Sequence, residues 1–251
     1  MNARMDFLDE NYKLIKSFYS NTDKDSIKLK IKRGMNVMNW DMRYPDAEKL
    51  EGIILWNDRL SGPLTPPGKY YVKMVVGNDS LMQSFLLRKP GNVSASDADL
   101  KEQFDLAIKV RDKISAVHKA VANIRSIRSQ LNAAIDKAGN DSTLKKLLYT
   151  ERDSINKKIT AIEEALYQTK LKANQDILNY PIMLNDKLAG IYSIVNSGST
   201  KPPRQCYEVF DQLALKADYQ LDKLKQIMNT DVKRFNELMI KNNVPVIYIK
   251  E

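Results

Sequence analysis

The feature that most constrains this chain is a run of apolar side chains at three- and four-residue steps: Leu100, Phe104, Ala107, Ile114, Val117, Val121, Ile124, Leu131 and Ile135. At 3.6 residues per turn they fall on one helical stripe, and a stripe of that length has to be buried. Ser96, followed three residues later by Asp99, is a capping-box pattern whose hydroxyl and carboxylate satisfy free N–H groups at a helix start. The spacing therefore predicts one long helix that begins there and ends at Gly139-Asn140. A second stripe of Leu144, Leu148, Ile155, Ile159, Ile162 and Leu166 follows after a short connection, which predicts an antiparallel helical hairpin.

Pro181 is expected to open a third helix with Leu184, Leu188, Ile191 and Val195 inward. Gly198 and Pro202-Pro203 separate it from a fourth carrying Phe210, Leu213, Ala217, Leu221, Leu224 and Met228. Thr230-Asp231 either caps a short final helix with Phe235, Leu238 and Met239 or marks a bend through which the fourth helix continues. The tail Val244 to Ile249 has extended character: a strap on the bundle or a strand at a sheet edge.

Before Pro90-Gly91 the period is two rather than 3.6. Ile27, Leu29 and Ile31 alternate with lysines, and Met38, Trp40 and Met42 repeat the pattern, as do Tyr70, Val72, Met74 and Val76. A first strand pair is expected at Met5 to Leu8 and Tyr12 to Tyr19. Turn residues at Asp9-Glu10-Asn11, Arg33-Gly34, Pro66-Pro67-Gly68 and Gly77-Asn78-Asp79 fall between the apolar runs. Six or seven short strands in about 90 residues favour a β-sandwich. The fold class is thus α+β in two modules, an antiparallel sandwich over 1–91 and an antiparallel helical bundle with an extended tail over 92–251.

Charge narrows the partners. The net charge is +9, with 15 basic and 11 acidic residues in 1–92 and 25 and 20 in the remainder. The excess, +4 and +5, is interspersed and forms no basic arm, which disfavours nucleic acid. No apolar stretch reaches the ~18 residues of a membrane span, and the start, Met1-Asn2-Ala3-Arg4-Met5-Asp6, lacks the apolar run of a secretory signal.

Catalytic constellations are scarce. His118 is the only histidine, so a Ser-His-Asp or Cys-His mechanism could use only this side chain, which lies beside the apolar stripe with no nucleophile motif elsewhere. With Cys206 the only cysteine, a structural tetrahedral zinc site cannot be closed. No G-x-G or G-x-x-x-x-G-K cradle is present, and no cofactor or catalytic residue is assigned. Glu163-Glu164 read as a solvated helix face in which at least one carboxylate meets a lysine. Candidate interaction residues are Arg125 and Arg128, which share a helix face and could clamp an anion, although pairing within the bundle is favoured. Trp40 and Trp56, with Tyr70 and Tyr71, could form a sugar-stacking platform, although alternation places Trp40 on a core face. Pro66 and Pro67 lie in the stiff loop Gly62-Pro63-Leu64-Thr65-Pro66-Pro67-Gly68, which could dock on a neighbour.

The run Gly34-Met35-Asn36-Val37-Met38-Asn39-Trp40-Asp41-Met42-Arg43-Tyr44-Pro45-Asp46-Ala47, then Ile54-Leu55-Trp56 and Gly62 to Tyr70, resembles the C-terminal region of large bacterial proteins that begin with a sortilin-type BNR-repeat β-propeller. These proteins are often labelled glycosyl hydrolases. The likeness continues through Gln103-Phe104-Asp105-Leu106, Ile124 to Arg128, Glu164 to Lys170 and Leu184 to Leu188, nearly the whole chain. The resemblance implies that the first module is immunoglobulin-like, of the type also found in flagellar hook-capping proteins. No Ser-x-Asp-x-Gly-x-x-Trp box of the propeller occurs, and Lys89-Pro90-Gly91 stands where the family tends to have Lys-Asp-Pro-Arg.

The resemblance therefore implies a non-catalytic accessory region of a larger exported protein, with a β-propeller as partner in cis or in trans. It also implies a periplasmic or extracellular parent and a truncated or separated reading frame here. The alternatives are a carbohydrate- or polyanion-binding module, or part of a glycosidase-like hydrolase whose active site lies in the missing propeller.

Overall fold

The computed structural model describes residues 2–56, 60–137, 142–242 and 244–248. The chain is α+β: one four-stranded antiparallel sheet and a set of helices. By contact it divides into two interleaved units. The first comprises Met1–Asp46, Ser61–Arg111 and Val195–Pro203, and the second Ala47–Leu60, Asp112–Ile194 and Arg204–Glu251.

In the first unit, strands β1 (Ala3–Leu8), β2 (Leu14–Tyr19), β3 (Gly68–Val76) and β4 (Asp79–Leu87) lie in the order β2-β1-β3-β4, every pair antiparallel. The β1–β2 turn is tied by Asp9, whose Oδ1 accepts the backbone N–H groups of Asn11 and Lys13, each at 2.9 Å. At the β3–β4 turn Gly77 supplies a φ of +59°, which a two-residue hairpin needs at its first central position.

One face of this sheet is covered. Phe7, Phe18 and Tyr70 are buried there with Ile15 and Leu29, and Met38, Trp40 and Tyr44 pack over them. Trp40 stacks on Phe7 at 4.4 Å and meets Phe85 edge-on.

The covering layer differs from the six or seven strands expected. Asp25–Ile27 form a 3-10 turn, and Lys28 makes a single parallel bridge to Tyr19. Neither Ile27–Ile31 nor Met38–Met42 is a strand: Ile27, Leu29, Met38 and Trp40 do pack on the sheet, but Ile31 and Met42 are exposed, and alternation does not supply a ladder partner. Residues 42–44 and 63–65 run antiparallel, with the Thr65 N–H donating to Met42 and the Tyr44 N–H to Pro63. Gly62 makes this approach feasible: a Cβ there would lie 1.7 Å from the Tyr44 carbonyl oxygen.

Helix α1 (Asp97–Asp136) is 40 residues, about 60 Å. Its first turn is closed by the capping box: the Ser96 N–H donates to Asp99 Oδ2 at 3.0 Å, and the Asp99 N–H to the Ser96 hydroxyl at 3.1 Å. The end expected at Gly139-Asn140 lies outside the described residues. Helix α2 (Ser142–Leu166) runs antiparallel to α1 in the second unit, since Arg125 reaches Glu163 while Arg128 reaches back to Thr160.

Within that unit Ile114, Val117, Val121, Ile124, Ile127 and Leu131 of α1 are fully buried, as are Leu148, Ile155, Ile159 and Leu166 of α2. Each such side chain contributes about 1.5–3 kcal/mol of burial. Helix α3 (Leu184–Val195) begins three residues after Pro181 and carries the expected inward set.

Helix α4 (Arg204–Ile227) continues through a π-helical turn at Met228–Val232 into α5 (Lys233–Lys241), so of the two readings of Thr230-Asp231 the bend is the one observed. The tail is a strap, held by paired bonds between Asn236 and Ile247 and between Gln130 and Tyr248. Leu131→Ala should lower stability by about 2–5 kcal/mol in urea unfolding followed by circular dichroism. Val37→Ala, at a side chain 79% exposed, should stay within about 0.5 kcal/mol of the parent.

Candidate functional site

Two surfaces of the first unit carry more exposed or unpaired chemistry than folding requires. The first is a cleft of about 440 Å³. The stiff loop forms one wall with Leu64, Thr65, Pro66 and Pro67, and Leu100 and Phe104 of α1 form another. The loop is fixed from behind: Tyr70 donates its hydroxyl to the Pro66 carbonyl at 2.8 Å, and Arg43 Nη1 donates to the Gly62 carbonyl at 2.8 Å. Gln103 closes one end, its amide nitrogen donating to the carbonyls of Val195, at 2.7 Å, and Gly198.

Three cations, Arg43, Arg88 and Lys89, line this cleft, and among the described lining residues there is no carboxylate. Thr65 is buried at 3% exposure and its hydroxyl has no hydrogen-bond partner. An unsatisfied buried hydroxyl costs about 1–3 kcal/mol. Beside the cleft, Tyr44 packs on Phe104 with ring centroids 4.7 Å apart, and burial pushes its phenol up to about 12.

The second surface is β4. Its sequence, Asp79-Ser80-Leu81-Met82-Gln83-Ser84-Phe85-Leu86-Leu87, carries one charge and no proline, and among the described residues its only strand partner is β3. Asp79 to Ser84 are all exposed, Leu81 at 75%. Edge strands are normally blunted by lysine, proline or a bulge, and a long apolar one is a template for pairing.

The residues singled out in the sequence fall in different places. Pro66 and Pro67 line the cleft. Trp40 is held in the sheet core, its Nε1–H donating to the Arg43 carbonyl at 3.3 Å. Tyr70 and Tyr71 project from opposite faces of β3: Tyr70 is buried and Tyr71 stacks on Tyr12 at 4.5 Å. Trp56, 55% exposed, belongs to the second unit, where its backbone N–H donates to Asp186 at 3.1 Å. Trp40, Tyr70 and Tyr71 are therefore not gathered into one exposed platform.

Arg125 and Arg128 converge on Glu163, at 3.0 and 2.8 Å, and Arg125 also lies 5.3 Å from the centre of the Tyr167 ring. Glu163 is 4% exposed, which corrects its reading as a solvated carboxylate met by lysine. Its partners are the two guanidiniums, and only Glu164 faces water. The arginine pair thus already holds a carboxylate.

His118 is 1% exposed, with Nδ1 2.7 Å from the Glu48 carbonyl and Nε2 unpartnered. A carbonyl only accepts, so Nδ1 carries the proton. Cys206 is buried and free. Among the described residues no group of histidines, cysteines and carboxylates gathers around a metal-sized site, and no helix is long and apolar enough to cross a membrane.

Sequence reasoning reached the loop wall of the cleft through its prolines and glycines. It missed Arg88, met Lys89 only in the junction Lys89-Pro90-Gly91, and missed Asn196 to Ser199, which reach the cleft from a distant part of the chain with no local signal. Comparison with protein-family models, curated proteins and solved structures finds no match.

Two measurements bear on these buried groups. Arg125→Ala with Arg128→Ala strands a buried carboxylate and should cost about 3 kcal/mol in chemical unfolding, the lower end of the range because both guanidiniums keep contact with water. Adding Glu163→Leu should restore most of that loss. Burial lowers the His118 pKa against the opposing pull of the Glu48 carbonyl, so the unfolded chain binds more protons below the ordinary value of 6.5. Stability is then full above that value and is lost as pH falls through it. The thermal midpoint should drop from about pH 7.5 to about pH 5.5, and His118→Asn, which keeps a donor for Glu48, should reduce the drop.

Proposed function

We propose that this chain is a non-catalytic accessory region that docks on a β-propeller, in cis or in trans, through the open edge of its sheet. The observation that carries the reading is β4: nine residues, five of them apolar and one charged, and paired among the described residues on one side only. An edge of this kind gains main-chain hydrogen bonds and apolar burial from one added strand. The resemblance to propeller-associated C-terminal regions, spread over nearly the whole sequence, supplies the partner. In this reading the intact parent is periplasmic or extracellular.

The first unit is then an immunoglobulin-like module in reduced form. Its support is the two-layer arrangement over Phe7, Phe18 and Tyr70, and Tyr70 itself, whose hydroxyl bonds to the backbone four residues upstream in the manner of a tyrosine corner. The helices are read as an antiparallel bundle that serves as scaffold. A non-catalytic role agrees with the positions of the groups on which hydrolysis would draw. The one imidazole is enclosed on a backbone carbonyl, and Glu163 is held by two arginines.

The test is calorimetry of the chain against a β-propeller encoded in the same or a neighbouring reading frame. Leu81→Lys with Leu86→Lys places a charge on each face of the edge and should weaken binding at least roughly tenfold. Both side chains are exposed, so the thermal midpoint should move little. Unchanged affinity in the double variant, or no saturable binding to any such propeller, contradicts the proposal.

A further inference from the structure

The geometry points to a second site, separate from the β4 edge: the cleft of the first unit binds a small organic acid, an apolar body carrying one carboxylate. Charge is the first reason. Arg43, Arg88 and Lys89 share one concavity, and no carboxylate among the described lining residues offsets them. Like charges around low-dielectric walls repel one another more than they would in water. An entering anion relieves that repulsion and receives charge-assisted hydrogen bonds, which are about twice as strong as neutral ones.

The donors have capacity left. Lys89 Nζ gives two hydrogens, to Val93 O and Ala95 O, and an ammonium has a third. Arg43 uses Nη1 on Gly62 O, and a guanidinium has five N–H groups. Arg88 is exposed and has no acidic partner among the described residues. Lys89 and Arg43 are positioned by backbone carbonyls, so binding an anion does not require an existing ion pair to break.

The apolar walls select the rest of the ligand. Leu64, Pro66, Leu100 and Phe104 offer surface that an inorganic anion cannot use, and about 440 Å³ matches one small molecule better than a polymer segment. Thr65 adds a polar group to the lining, its hydroxyl buried without a partner. Gln103 has both amide hydrogens engaged by Val195 and Gly198, which leaves its Oε1 as acceptor at the far end.

Calorimetry of the full chain with decanoate, decan-1-ol and inorganic phosphate tests this, since the three probes separate body from head group. Decanoate should bind saturably at one site. Decanol and phosphate should each bind at least roughly tenfold more weakly, and decanoate affinity should fall as salt is added. Arg88→Gln should weaken decanoate roughly fivefold or more without moving the thermal midpoint, because Arg88 is exposed. Ser199→Trp, at an exposed lining position, should block binding sterically.

Backbone amide shifts on adding decanoate should centre on Thr65, Gln103 and Gly198. Equal binding of decanol and decanoate, indifference to Arg88→Gln, amide shifts centred elsewhere, or no saturable binding by the folded chain would each overturn the assignment. None of these outcomes depends on the β4 edge.

Discussion

The burial of one face of α1 is the interaction on which the rest of this structure depends. In the second unit that face presents Ile114, Val117, Val121, Ile124, Ile127 and Leu131 with no contact to water, and Arg125 and Arg128 flank it to hold Glu163 of α2. A carboxylate buried there would be costly alone, so the two guanidiniums fix the register of the helix pair as well as neutralising it. In the first unit the N-terminal turns of the same helix supply Leu100, Gln103 and Phe104 to the cleft, and Gln103 holds residues 195 and 198. The capping box at Ser96 fixes where those turns begin, and with them the position of the cleft wall.

The sheet is built with less redundancy. Its covered face is closed by a layer with two isolated bridges in place of extended ladders, pinned by Gly62, Arg43 and the Tyr70 hydroxyl. Chain that is not committed to a ladder is free to carry other contacts, which is how residues 42–43 and 63–67 come to line a cleft. The β4 edge is open for a separate reason, its place at the end of the strand order, where no described strand follows it.

The helices are the most legible part of the sequence. A 3.6-residue period sustained over the length of α1 fits a buried helical face and no strand, and Ser96 with Asp99 marks the start to within a residue. The strands expected at Ile27 to Ile31 and Met38 to Met42 are absent for a physical reason: period two specifies an inward face, while a strand also needs a neighbour, and the neighbour is a long-range fact. Glu163 and Glu164, adjacent on a helix, look alike and solvated until the facing helix brings two arginines to one of them. The π-helical turn at Met228–Val232 has no local signature beyond Thr230-Asp231. The prolines of the loop mark one wall of the cleft; its cations and the segment from 196 to 199 converge only through tertiary folding.

The chain thus divides into helices with a fully buried apolar face and a sheet whose covering layer is held by isolated bridges. Native-state amide hydrogen exchange measures this division residue by residue. Amides of residues 112–136 and of α2 should exchange only through global unfolding, while residues 27–44 and the outward amides of β4 exchange at far lower opening free energy. Protection in the covering layer and at the β4 edge equal to that of α1 would contradict it.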